Sequence, residues 1–150
     1  MKSRNLIIIL ALSVCGTVCF SCRSQKGCRP DGWYYLNAGK TDSISKKPII
    51  TVKEFSALRL DSSVSGNKTI YQIIGQLSEE KIEKWGDATG RSVGKRIAFV
   101  YNGEVICSPQ VNSRINSGAF SIGIPPYLEN RYDLREIYKK LSGKVNHGKD

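Results

Sequence analysis

The chain holds 150 residues, 40% of them apolar, with 23 basic against 13 acidic side chains and a formal net charge of +10. One domain is expected at that length, and the apolar share excludes a disordered polyelectrolyte. A balance this basic raises nucleic acid as a partner, but composition alone assigns no function.

Lys2 and Arg4 precede an apolar run from Leu6 to Phe20, 15 residues long. That suits a signal-peptide core and falls short of the roughly 20 residues of a spanning helix. The run closes on Cys19-Phe20-Ser21-Cys22, followed by polar Arg23-Ser24-Gln25-Lys26. A small Ser before a Cys resembles a bacterial lipobox, so residues 1–21 are expected to be removed and Cys22 to carry lipid. Phe20 and Cys19 depart from the usual lipobox residues. Two alternatives stay open: ordinary secretory cleavage at the same bond, and a retained single-pass anchor. In each case the chain leaves the cytoplasm, and nucleic acid drops out as a partner. Beyond residue 21 the balance is 21 basic to 13 acidic, or +8. Cys28 and Cys107 are the cysteines then left over. Export permits a disulfide between them, yet Cys107 sits in an apolar strand and reads as a buried free thiol.

Residues 22–48 read as a flexible leader, interrupted by Trp33-Tyr34-Tyr35-Leu36, which is dense enough for a short strand or a plug on the domain. The domain is expected from 49 to 143, with a polar tail over 144–150. Ile49 to Val52 and the alternating Leu58-Arg59-Leu60-Asp61 read as strands. Asp61 to Lys68 reads as a turn and Thr69 to Leu77 as a second long strand. Ser78 caps a helix with Glu79 and Glu80 in its first turn, and Ile82, Trp85, Thr89 and Val93 form its inward stripe. Gly86 and Gly90 would let it approach a sheet closely.

Asn102-Gly103 between two apolar runs predicts a two-residue hairpin. Its register would pair Tyr101 with Glu104, Phe99 with Ile106 and Ala98 with Cys107. Both faces are apolar, so either both are covered or one binds a partner. The candidate partner surface is Ile97, Phe99, Tyr101 and Ile106, with Trp85 and Val100 on the core side. Pro109 ends regular pairing. Phe120 to Ile124 is a further strand. Leu134, Ile137, Tyr138 and Leu141 space a last helix, with Gly143 as its stop. Arg131, Arg135, Lys139, Lys140 and Lys144 form a candidate basic surface, partly on that helix.

The segment GKRIAFVYNGEVICSPQVNSRINSGAFSIG, Gly94 to Gly123, resembles the head subdomain of the first periplasmic domain of the SecD/SecDF protein-export family. The matching features are Gly94-Lys95, the Asn102-Gly103 turn, Cys107-Ser108-Pro109, Ile115 to Gly118, and Ile122-Gly123. Leu77-Ser78-Glu79-Glu80 and Thr89 resemble that family's helix, so the likeness covers about residues 55–143. Cys107 stands where the family usually has Ser. The resemblance implies an α+β fold, a two-layer sandwich of a small, mostly antiparallel sheet against two helices. It also implies a detached binding head and not a motor, because the family's transport needs further domains and a membrane bundle.

Enzyme readings find little support. His147, the one histidine, lies in the tail, so neither a Ser-His-Asp nor a Cys-His arrangement can be built on the domain. A metal would need Cys28, Cys107 and carboxylates to converge, and no CxxC or HxxxH spacing among these supports it; no Gly-rich loop follows a strand. Glu79, Glu80 and Glu83 read as an exposed helix start. The expected function is therefore non-enzymatic and cofactor-free: an envelope lipoprotein, held at the membrane by its N-terminal lipid, that binds protein or peptide, an exported chain among the candidates. The alternative is an accessory lipoprotein contacting anionic membrane or cell wall through its basic helix.

Overall fold

The structure is a computed structural model that describes residues 29–37 and 43–146. Residues 1–21, expected to be a signal peptide, lie outside the described residues, as do Cys22, Cys28 and His147. Strands β1 (Gly32–Tyr35), β2 (Ile50–Thr51), β3 (Phe55–Ser65), β4 (Lys68–Leu77), β5 (Ile97–Tyr101), β6 (Glu104–Cys107) and β7 (Ala119–Gly123) accompany helices α1 (Glu79–Arg91) and α2 (Leu134–Asn146). The α+β architecture is as expected, but the strands form two antiparallel sheets. One has the order β2-β1-β5-β6 and the other β3-β4-β7.

The leader boundary needs correction. Trp33 to Tyr35 form most of β1, which lies inside the first sheet and pairs with both β2 and β5. A glycine opens the strand because a Cβ on Gly32 would overlap the Ile50 carbonyl. Trp33 faces the space between the sheets. There its ring lies 5.2 Å from Phe99 and 5.7 Å from Trp85, centroid to centroid. Phe120 and Phe55, 4.4 Å apart, complete a cluster drawn from β1, α1, β3, β5 and β7. Truncating one of these rings to Ala would cost about 3–5 kcal/mol.

The hairpin turn forms as expected, with Asn102 at φ 49° and Gly103 at φ 78°. The register beyond it differs. Val100 pairs with Val105, but Phe99 pairs with Cys107, so Ile106 is the extra residue of a β-bulge. The bulge lets Ile106 and Cys107 both be buried although they are consecutive. Ile97, Phe99, Tyr101 and Ile106 are buried as well and join the core with Phe55, Phe120 and Leu141. The proposed apolar partner surface is therefore interior. The opposite face buries Tyr34, Ala98 and Val100.

The turn read over Asp61 to Lys68 is also narrower than expected. β3 and β4 pair continuously from Ala57–Gln76 to Ser65–Lys68, and only Gly66-Asn67 turn. Residues 62–70 are all exposed, so the end of this hairpin projects from the domain. On α1, Trp85, Ala88 and Thr89 are buried, but Val93 lies past the helix end and is exposed. Gly86 and Gly90 admit a loop and not a sheet: the side chains of Arg114 and Asn116 lie against Gly86, and Arg114 against Gly90. α2 packs against β3 and β4 and continues through Gly143, because Val145 is buried one turn beyond Leu141.

Candidate functional site

A groove runs along the open edge of β7. On one side stands β7 with the segment following it; on the other stand Cys107, at the end of β6, and the irregular stretch Ser108 to Ile115. Two adjoining cavities make it up, of about 550 Å³ and about 280 Å³. The larger is lined by Arg96, Cys107, Ser108, Gly123, Ile124, Pro125 and Tyr127. The smaller reaches Trp33, Trp85, Ile97, Val111, Ile115 and Phe120. Pro109 and Ser121 line both.

Each wall is fixed by identifiable bonds. Gly94 N–H donates to Val111 O at 2.8 Å, Val111 N–H to Lys95 O at 2.8 Å, and Ile97 N–H to Pro109 O at 3.2 Å. Thr89 Oγ1 accepts Ile115 N–H at 3.0 Å while donating to Trp85 O, tying this wall to α1. β7 is anchored through β4, where Leu77 N–H donates to Gly118 O across the strand pair. Antiparallel alternation then turns the backbone of Phe120 and Ile122 toward β4, and that of Ala119, Ser121 and Gly123 outward. Ala119 O accepts Trp85 Nε1 at 3.2 Å, and Gly123 N–H donates to the Cys107 sulfur. Trp33 Nε1 is buried without a partner among the described residues, in a side chain that lines the smaller cavity.

Burial, opposed by hydrogen bonds from the Gly123 and Phe99 N–H groups, pushes the Cys107 thiol up to about 12. It is a protonated structural thiol and not a nucleophile. Among the described residues no group of three His, Cys, Asp or Glu could hold a metal.

The basic residues are exposed but mostly paired. Arg131 forks onto Glu104 at 2.9 and 3.0 Å, and the Tyr132 hydroxyl donates to the same carboxylate. Arg135 pairs with Asp133 at 2.8 Å, Lys139 with Glu136 at 2.9 Å and Lys144 with Asp31 at 2.7 Å. Lys140 has no ion pair among the described residues. The carboxylates balance most of what the sequence offers as a positive face. The groove residues Arg96, Pro109, Ser121 and Tyr127 were missed as site candidates. Pro109 was the available signal, as a residue that ends pairing and leaves an edge.

Comparison with known proteins agrees with this architecture. Residues 32–124 match the family model of the SecDF P1 head subdomain. The protein translocase subunit SecD of Desulfurispirillum indicum is 41% identical over 66 residues, which are 44% of this chain and 13% of SecD. A solved structure of a membrane component SecDF that enhances protein export superposes with a TM-score of 0.53 at 20% identity, over 71% of this chain and 43% of that one. SecDF in a super-membrane-facing form gives 0.51 at 20% identity, over 71% of this chain and 13% of that one. The chain thus covers less than half of each of these relatives and shares the fold of one region. It belongs to the SecDF P1 head subdomain family.

Proposed function

We propose that this chain is a polypeptide-binding head of the cell envelope, associated with protein export, and that it acts by binding without catalysis or a cofactor. The observation that carries this reading is the groove along β7. It is apolar over much of its length, with a sheet edge in one wall, which are the two features used to capture extended chains. Tyr127, 81% exposed, stands at its mouth. Membership of the P1 head family supports a link to export and a periplasm-facing location. Lipid on Cys22 would hold the head at the membrane. The alternative of a basic helix docking on anionic lipid is less well supported, because Arg131, Arg135, Lys139 and Lys144 are already paired.

The test is photo-crosslinking in intact cells from an unnatural side chain at position 127, with position 140 on α2 as control. Exported polypeptides are expected in adducts from 127 and not from 140. Equal labelling at both positions, or none at 127, would overturn the reading. Mass spectrometry of the mature N-terminus tests the lipid at Cys22.

A further inference from the structure

We propose that the groove takes its polypeptide as a short added strand, in which a segment of apolar–any–apolar pattern pairs through its backbone with Ser121 and sets a carboxylate beside Arg96. This rests on the reading of the groove as a polypeptide site, and adds what the bound segment must look like.

The argument starts from the edge of β7. Of its three outward-facing residues, Ala119 gives its carbonyl to Trp85 and Gly123 gives its N–H to Cys107. Ser121 stands between them. Its outward N–H and C=O have no hydrogen-bond partner among the described residues, and its side chain is occupied with Gln72. The facing wall does not compete for these groups: Pro109 has no N–H, and its carbonyl already accepts from Ile97. An incoming strand therefore finds one residue at which it can both donate and accept.

The cavities set the side-chain pattern. They lie on either side of the Pro109–Ser121 pair. Residues two apart on a strand share a face at roughly 6.6–6.8 Å separation. A segment centred on Ser121 would therefore send its flanking side chains one into each cavity, the bulkier toward Tyr127.

Charge sets the last feature. Among the described residues Arg96 is the only charged side chain lining either cavity, and no carboxylate lines them. Its Nη1 is held on Ser108 O at 2.5 Å, and it has no ion pair among the described residues. An acidic residue next to the larger apolar side chain complements it, and a lysine there would be repelled.

The experiment uses the full chain in detergent and a fluorescent nonapeptide with a Glu-Phe-Ser-Leu core, read by anisotropy. Backbone N-methylation is scanned across the core. One position is expected to lose at least ten-fold in affinity while its neighbours change little. Replacing the core Glu by Lys should weaken binding, and Arg96→Glu should reverse that preference. Ser121→Pro, which removes the outward N–H while leaving the bonds to β4, should reproduce the loss with unchanged circular dichroism. Uniform tolerance of N-methylation, with crosslinking at position 127 intact, would overturn strand addition and leave the groove reading standing. Absence of both binding and crosslinking would overturn both.

Discussion

Asp31 and Lys144, from opposite ends of the described chain, meet with Oδ2 and Nζ 2.7 Å apart. The other carboxylate oxygen of Asp31 accepts Asn102 N–H at 2.7 Å, and its backbone carbonyl accepts Val52 N–H at 3.0 Å. One residue thus clasps the start of β1, the β5–β6 turn and the end of α2. Its side chain is 10% exposed, against 52% for Lys144. Asp31→Ala removes a charge-assisted hydrogen bond to the Asn102 N–H together with the ion pair and should cost about 1–3 kcal/mol. Lys144→Ala removes a partly exposed ion pair and should cost at most about 1 kcal/mol. Urea midpoints of the two variants check the ordering. Equal losses would mean that the ion pair, and not the turn contact, carries the effect.

That clasp also marks where sequence reasoning stopped. Asp31 reads as leader and Lys144 as tail, because no local pattern shows that β1 slots beside β5 and that α2 continues through Gly143. Asn102-Gly103 was legible because the turn depends on local backbone conformation. The bulge at Ile106 was not, since Val105, Ile106 and Cys107 are all apolar and either register leaves an apolar face. The proposed partner surface failed for the same reason: apolar side chains do not reveal how many layers will cover them. Ser121 carries no chemical signal at all. Its interest comes from being the outward residue left unpaired between two satisfied ones, a property of topology.

Gly75 pairs directly with Phe120 across β4 and β7, and a Cβ there would overlap the Phe120 ring. The ring cannot simply swing aside, because it already packs on Phe55, Trp33 and Trp85. Gly75→Ala should therefore destabilise by about 1–3 kcal/mol. Because Phe120 lines the smaller cavity, it should also weaken peptide binding. Thermal unfolding and the anisotropy assay measure the two effects. A variant of unchanged stability would show that the cluster repacks freely.

Cys107 should behave as a buried thiol. With its pKa near 12, the thiolate fraction at about pH 8 is on the order of one in ten thousand. Iodoacetamide should label it only as fast as the fold opens, with urea accelerating the reaction in step with loss of tertiary signal. Rapid native labelling would contradict the burial of Cys107.

Glu54 makes stability depend on acid. Its Oε2 accepts the Thr51 N–H at 2.7 Å and the Thr51 hydroxyl at 3.0 Å, and Lys81 Nζ lies 3.3 Å from Oε1. The Glu54 carbonyl receives both the N–H and the hydroxyl of Ser78, so the same residue ties the Val52–Glu54 turn to the start of α1. Burial pushes the carboxyl up, but the Thr51 bonds and the Lys84 and Lys81 ammoniums outweigh it and hold the group below its ordinary 4.5. A carboxyl that titrates lower folded than unfolded contributes its full stabilisation above the unfolded value. That contribution is lost as pH falls through the folded one. Glu54→Gln should cost about 1 kcal/mol near neutral pH. The gap to the native chain should close as the pH is lowered below 4.5. Urea midpoints of both proteins across that range measure it, and a gap independent of pH would assign the effect to packing instead of the carboxylate.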